Sequence, residues 1–188
     1  MVGCVLMAAG IGSRFGGDKL QAELGGRTLV LRAMDAIPPE LKVVVVTGSA
    51  SVAGEAKLRS FPIVWNDRPQ DGLSRTVRLG TEALRDCDAI LYLVADQPLL
   101  RRDSVRQVLE LYARCPDCIC AAGSDGRHGN PCLFPWEFFG ELEALTGDCG
   151  GSTVIHRHAD RLRVAEIPAC QLTDVDTKET LVALREEK

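Results

Sequence analysis

Val2 to Ala8 is an unbroken apolar run that gives way at once to a loop holding Gly10, Gly12, Gly16 and Gly17. Such a run, cut off by glycines, reads as a strand buried on both faces, followed by backbone that adopts angles side chains disfavour. Strands buried on both faces belong to parallel sheets, whose neighbours are joined by crossovers. The rest of the chain follows that rule. From Thr28 the apolar positions Leu29, Val30, Ala33, Met34 and Ile37 recur at helical spacing until Pro38 and Pro39 stop them, and Leu41 to Thr47 is a second β-branched run closed by Gly48.

The alternation continues with a helix at Ser51 to Leu58, a strand at Ile63 to Trp65, a loop at Asn66 to Gly72 and a helix from Leu73 to Leu84. An apolar strand at Ala89 to Val94 then meets the polar turn Asp96-Gln97-Pro98, and Asp103 is placed to cap a helix reaching Ala113. After a short strand at Cys118 to Ala122 the rhythm loosens. A glycine-rich loop (Gly123, Gly126, Gly129), an apolar segment at Cys132 to Phe134, a helix over Trp136 to Leu145, a strand at Arg161 to Ile167, the acidic patch Asp174 and Asp176, and a helix from Lys178 complete the pattern. This order predicts an α/β fold over 1–188 as one domain, a mostly parallel twisted sheet with helices on both faces. Ligands of such sheets bind outside the carboxyl ends of the strands, where both the glycine loop and Asp96 fall.

The chain's 188 residues, 46% of them hydrophobic, are enough for a core that needs neither metal nor disulfide. A net charge of -4, without runs of Lys or Arg, offers no footprint for nucleic acid. The longest apolar stretches fall far short of the ~20 residues of a membrane span, and no basic flank precedes the first of them, so a cytoplasmic protein is expected. Its cysteines are then mostly reduced and buried. Cys115, Cys118 and Cys120, with Cys132 downstream, offer four thiolates for zinc, but a strand at Cys118 to Ala122 turns Cys118 and Cys120 to one face in a core pattern. On a helix, the spacing of His156 and His158 points them apart, which argues against a metal pair.

The segment AAGIGSRFGGDK, Ala8 to Lys19, joins the first strand to four glycines, Ser13 and the cations Arg14 and Lys19. Amides freed by glycine geometry approach phosphate oxygens closely, and the cations neutralise them, so the loop reads as a triphosphate cradle. Two other glycine motifs fail on spacing. Gly10, Gly12 and Gly16 are one residue too far apart for a dinucleotide fingerprint, and the second strand ends in Thr47-Gly48 without an acid, which weakens an NAD oxidoreductase. Asp18 precedes Lys19 and Leu20 follows it, which excludes a P-loop. Asp96, at the ligand edge, has the hard oxygens that hold magnesium together with substrate phosphates, and Asp174 or Asp176 can add a second carboxylate.

Ala8-Ala9-Gly10 through Lys19, Gly72-Leu73-Ser74 through Gly80, Asp96-Gln97-Pro98, Gly126 to Pro131, Gly147-Asp148 and Asp174 to Thr177 occur in an order that resembles the molybdenum cofactor nucleotidyltransferases. The Ala-Ala-Gly opening looks most like their cytidylyltransferase branch. The resemblance implies a Rossmann-like three-layer fold, nucleotide on the N-terminal half and acceptor on the C-terminal half. It implies magnesium-dependent transfer of CMP from CTP to the phosphate of a molybdopterin-type acceptor, with a molybdenum hydroxylase as a possible partner. Residue by residue, it assigns Ala8, Ala9, Gly10, Gly12, Ser13, Arg14 and Lys19 to the triphosphate side, with Gly72, Leu73 and Ser74 towards base or ribose. Arg14, Lys19 and Asp96 become the catalytic set, Asp96 and Asp176 the metal ligands, and Gln97, Asn130, Pro131 and Asp148 the acceptor side.

The chain departs from the family pattern twice. Asn130 stands before Pro131 where the family often has His, and Gly150-Gly151-Ser152 follows Gly147-Asp148 without the arginine of the family's Gly-Ala-Arg. Both departures lie on the acceptor side, so a sugar or polyol phosphate acceptor, or a non-catalytic nucleotide or pterin carrier, stays open as an alternative.

Overall fold

The computed structural model describes residues 1–10 and 14–186. Strand β1 (Val2–Ala8) is the second-innermost of a seven-stranded sheet, and the glycine segment leads from it to a short antiparallel pair, β2 (Glu23–Leu24) and β3 (Arg27–Thr28). That pair was not expected. Its turn is Gly25-Gly26, both at positive φ (61° and 75°), the geometry that closes a two-residue hairpin. Thr28 then caps α1 (Leu29–Ala36), its hydroxyl accepting from the Leu31 amide at 3.3 Å. Next come β4 (Lys42–Thr47), α2 (Ala50–Leu58), β5 (Ile63–Trp65), α3 (Leu73–Ala83), β6 (Ala89–Val94) and α4 (Arg102–Arg114).

The expected strand–helix alternation is therefore present, with one local correction. Arg101, in extended conformation, is the residue before α4, and Asp103 lies in the first turn instead of capping it. There its carboxylate still meets the positive end of the helix dipole.

The second half departs further from expectation. β7 (Ile119–Ser124) and β8 (Arg127–Pro135) form a hairpin through Asp125-Gly126, both at positive φ (52° and 76°). The expected glycine loop is thus mostly paired strand, because Asp-Gly is a two-residue hairpin turn. The helix expected over Trp136 to Leu145 is a 3-10 turn, Trp136–Phe138, followed by the short α5 (Phe139–Glu143). After α6 (Gly151–Arg157) and β9 (Leu162–Glu166), the chain closes with α7 (Lys178–Glu186).

The sheet runs β5-β4-β1-β6-β8-β7-β9, and β8 is antiparallel to both its neighbours while the other pairings are parallel. Alternation along each strand feeds two cores. Cys4, Leu6, Val45, Leu91 and Leu93 pack with α1, α2 and α4 on one face; Val5, Val44, Ile90, Tyr92 and Phe134 pack with α3, α5 and α6 on the other. Each such fully buried side chain contributes about 1.5–3 kcal/mol, so the two faces hold the loops at the strand ends in register. A third cluster, Phe15, Leu24, Leu29, Val175, Leu181 and Leu184, ties α7 and the acidic segment to the glycine loop.

The sulfurs settle the zinc question. Cys115 and Cys118 are joined as a disulfide, a correction to the reduced state expected of them, and six cysteines are free. Cys120 pairs with Leu133 and Cys132 with Ala121, adjacent positions on paired strands, so the two thiols enter opposite cores. They cannot share a metal. Burial pushes the Cys120 thiol up to about 11 and Cys132 to about 12, which leaves both as inert apolar side chains. His156 faces the Ser152 carbonyl at 2.7 Å and His158 faces Glu141 at 2.6 Å, so they do point apart. No helix of the described residues is long and apolar enough to cross a membrane.

Candidate active site

The carboxyl ends of β1, β4, β5 and β6 share one rim because these strands run parallel in register: Ala8 pairs with Thr47, Thr47 with Trp65, and Met7 with Val94. The loops leaving that rim are tied to one another. The buried Thr47 hydroxyl donates to the Ala8 carbonyl at 2.9 Å, and the Asn66 amide to the Thr47 carbonyl at 2.9 Å. A side chain at Gly48 would meet the Asn66 carbonyl at 2.7 Å, so only glycine lets these loops pack. Between them opens a cavity of about 450 Å³, bounded by Ala8, Ala9, Gly10 and Lys19 on one side and by Ser49, Asn66 and Asp67 on the other.

Lys19 is the pivot of the site. Its ammonium lies 2.7 Å from an Asp96 oxygen and 3.1 Å from an Asp176 oxygen, with its side chain only 11% exposed. Arg14 reaches the same Asp176 at 3.8 Å from a side chain that is 77% exposed. The partners are 77 and 157 residues from Lys19, and a backbone clasp brings them together: the Val175 amide donates to the Asp96 carbonyl at 2.9 Å while the Val175 side chain is fully buried. Burial alone would lower the Lys19 pKa, but the hydrogen bonds and charges of Asp96 and Asp176 outweigh it and hold the ammonium above its ordinary value.

Asp174 completes the acidic side. It keeps a solvent-exposed edge, but the protein around its carboxyl desolvates it and pushes its pKa up, and the Asp96 charge adds to the shift. A carboxyl with a raised folded pKa contributes stability that is full below its unfolded value near 3.8 and is lost as pH rises through the folded value. Asp174→Asn should therefore melt higher than wild type at neutral pH in chelator-treated buffer, with the gap closing towards pH 4. A gap independent of pH, or of opposite sign, would contradict this account.

The other expected residues divide into four groups. Gly72, Leu73 and Ser74 open α3 and are held by the loop before α6: the Leu73 amide donates to Asp148 at 3.2 Å and the Ser74 amide to the Gly147 carbonyl at 3.1 Å. Asp148, expected on the acceptor side, is thus a neighbour of the expected nucleotide residues, and Ser74 is buried. Gln97 and Pro131 are also buried; Gln97 donates to the Leu172 carbonyl at 3.3 Å, while its own side-chain oxygen has no partner. Asn130 lines a second, smaller cavity together with Leu73. Gly12 and Ser13 lie outside the described residues.

The sequence reading missed Asn66, Asp67 and Arg75. Asn66 is buried and accepts from the Arg75 guanidinium at 3.0 Å and the Arg68 amide at 3.2 Å, and Arg75 also pairs with Asp67. A buried Asn satisfied from several directions fixes its loop, and its signal was its place directly after β5 at the ligand rim.

Among the described residues no group of three or more His, Cys, Asp or Glu side chains is placed to hold a metal ion. Asp96 and Asp176 instead bring two hard oxygen donors together on the Lys19 ammonium, with Asp174 adding negative charge beside them. That donor set suits a magnesium-type ion arriving with substrate phosphates, which usually takes one or two carboxylates from the protein and not a full cage.

A mostly parallel sheet with helices on both faces, its rim carrying a glycine loop and a part-buried lysine paired with carboxylates, is the architecture of the α/β nucleotidyltransferases. The sequence model of the MobA-like NTP transferase domain matches residues 4–162, and the chain belongs to that family. It is similar to a molybdenum cofactor guanylyltransferase of Shewanella baltica, 26% identical over 136 residues covering 69% of this chain and 66% of the relative. A probable molybdenum cofactor guanylyltransferase of Thermococcus kodakarensis is 31% identical over 63% of this chain and 58% of its own length. The chain thus spans about two thirds or less of these relatives. In fold it resembles the crystal structure of Rv0371C in complex with manganese from Mycobacterium tuberculosis H37Rv, with a TM-score of 0.80 and 22% identity over 100% of this chain and 99% of that one.

Proposed function

We propose that this nucleotidyltransferase moves CMP from CTP to the phosphate of a molybdopterin-type acceptor and releases pyrophosphate. The observation that carries the reading is the Lys19 clasp, an ammonium that lines the glycine-rich cavity and is held by Asp96 and Asp176. An ammonium has three donors, and two carboxylates leave a third for a phosphate oxygen. Arg14, largely exposed beside Asp176, adds a guanidinium to the same field.

A phosphate monoester has its second pKa near ~6, so at neutral pH the acceptor is already the nucleophile and needs no positioned base. The chain's task is then alignment and charge stabilisation. Gly10 and its neighbours bring amides to the triphosphate, Lys19 and Arg14 offset the charge that builds on the departing pyrophosphate, and Asn66 and Arg75 keep the far wall of the cavity in place. Asp96 and Asp176 would hold a magnesium ion, which supplies a dication to offset phosphoryl charge. A molybdenum hydroxylase as recipient of the product belongs to the same reading.

The Ala8-Ala9-Gly10 opening supports CTP; the curated relatives carry guanylyltransferase names, so the base is the first point to test. A ligand at 100 times its Kd adds about 2.7 kcal/mol to a native state that alone binds it. For a chain of this size that raises Tm by about 5–10 °C. With magnesium present, CTP should give such a shift and GTP a much smaller one, and pyrophosphate should appear with CTP and molybdopterin but not with a sugar phosphate. A larger shift with GTP overturns the base assignment, and turnover with the sugar phosphate instead overturns the acceptor.

A further inference from the structure

The chain carries a net charge of -4, yet its fold gathers arginines on the α1 and α4 side of the sheet. A depression of about 260 Å³ lies there between β3, α1 and the loop entering α4, and four of its eight lining residues are arginines: Arg27, Arg32, Arg101 and Arg102. The buried Pro98 and Leu100 line it as well. Asp35 is the one acid among the lining residues, and both its oxygens are engaged, by Arg27 and by Arg59 at the end of α2, each at 2.7 Å. The depression shares no lining residue with either cavity described above.

A guanidinium has five donors, and the protein uses few of them here. Arg32 gives its Nε to the Leu24 carbonyl at 2.7 Å, and Arg102 gives one terminal nitrogen to the Asp35 carbonyl at 2.8 Å. The Arg101 amide donates to the Gln171 side chain at 2.9 Å, while the Arg101 guanidinium pairs with no carboxylate among the described residues. Four arginines against one aspartate leave the lining with a surplus of three positive charges, and Arg59 behind Asp35 adds to it. Outside the lining, Glu40 is paired with Arg106 at 3.5 Å, and Asp103 lies in the first turn of α4. Guanidiniums crowded in this way repel one another, and a multiply charged anion relieves the repulsion.

We propose that this depression binds the phosphate group of a small molecule, outside the catalytic cavity and whatever nucleotide or acceptor the reaction uses. Arginine suits phosphate because its planar fork gives two parallel hydrogen bonds to the oxygens. The donors here come from β3, α1 and the start of α4, and so from several directions. That arrangement fits the three acceptor oxygens of a phosphate group better than a flat carboxylate. Sites for drug-sized ligands measure roughly 300–1,000 Å³, so this one takes a phosphate with a small attached group and not a nucleotide.

The test has two parts, both on the whole protein. Crystals soaked in sodium tungstate, a tetrahedral dianion located by its anomalous scattering, should show it among Arg32, Arg101 and Arg102. In solution, inorganic phosphate titrated calorimetrically at constant ionic strength in chelator-treated buffer should reveal a saturable site that survives Lys19→Met. Arg101→Gln, at an exposed position, should weaken that site by about tenfold. Arg101→Lys keeps the charge without the fork and should weaken it less. Pyrophosphate and glycerol 3-phosphate distinguish the sources: tighter binding of the first assigns the site to a free phosphate anion, and of the second to a phosphate ester. Tungstate found only beside Arg14 and Lys19, phosphate affinity unchanged in Arg101→Gln, or loss of all binding in Lys19→Met overturns the proposal. So does binding of poly-glutamate without binding of phosphate, which would make the cluster a docking surface for an acidic protein.

Discussion

Asp96→Ala should lower kcat by about 10²–10³-fold, the usual cost of removing one electrostatic contact to a developing charge, while the fold survives. Survival follows from the geometry, because Lys19 keeps Asp176 at 3.1 Å when Asp96 is gone. Lys19→Met should cost at least as much activity and behave differently in stability. It leaves Asp96, Asp176 and the partly desolvated Asp174 facing one another without their common cation, so its Tm should fall more steeply than wild type as pH rises from 4 to 7. The measurements are pyrophosphate release with CTP, magnesium and acceptor, and melting curves across that pH range in chelator-treated buffer. Unchanged turnover in either variant would remove Lys19 and Asp96 from the reaction, and parallel melting profiles would show that the lysine does not hold the acidic cluster together.

Gly72→Ala is the second large effect, and it acts through backbone. Gly72 sits at φ +90° and ψ -179°, a region essentially closed to other residues. An added Cβ would lie 2.4 Å from the carbonyl carbon and oxygen of Gly147 and 2.8 Å from the Asp148 amide nitrogen, so the loop before α6 must move. That movement breaks the bonds from Leu73 and Ser74 to Asp148 and Gly147. A cost of about 3 kcal/mol is expected, equivalent to about 6–12 °C in Tm. KM should rise as well, since Leu73, whose amide this junction holds, lines the smaller cavity. Gly140→Ala is the control: it lies in α5 with nothing within 4 Å of an added Cβ, and alanine there is neutral or stabilising by up to about 1 kcal/mol. Equal melting temperatures for Gly72→Ala and wild type would show that the junction is not the rigid element described.

Much of the fold was legible locally. β1, β4 and β6 are continuous apolar runs, and α1, α3 and α4 carry helical periodicity, so their order alone predicts a parallel sheet with helices on both faces. What failed locally was turn chemistry read too coarsely. Gly25-Gly26 and Asp125-Gly126 close hairpins through paired positive φ angles, which apolar periodicity does not show.

The candidate site divides along the same line. The sequence by itself determined that a glycine loop with Arg14 and Lys19, and separately Asp96, would stand at carboxyl ends of strands, because strand and turn signals are short-range and the sheet's rim follows from them. Only the tertiary structure decided that Asp176 shares the Lys19 ammonium with Asp96, that Asp148 holds the start of α3, and that Asn130 and Gly151 face the same cavity. Those contacts join residues from about 20 to more than 150 positions apart. They are fixed by strand register, by the burial of Val175 and Phe134, and by glycines that admit close backbone approach, none of which leaves a periodic trace in the chain.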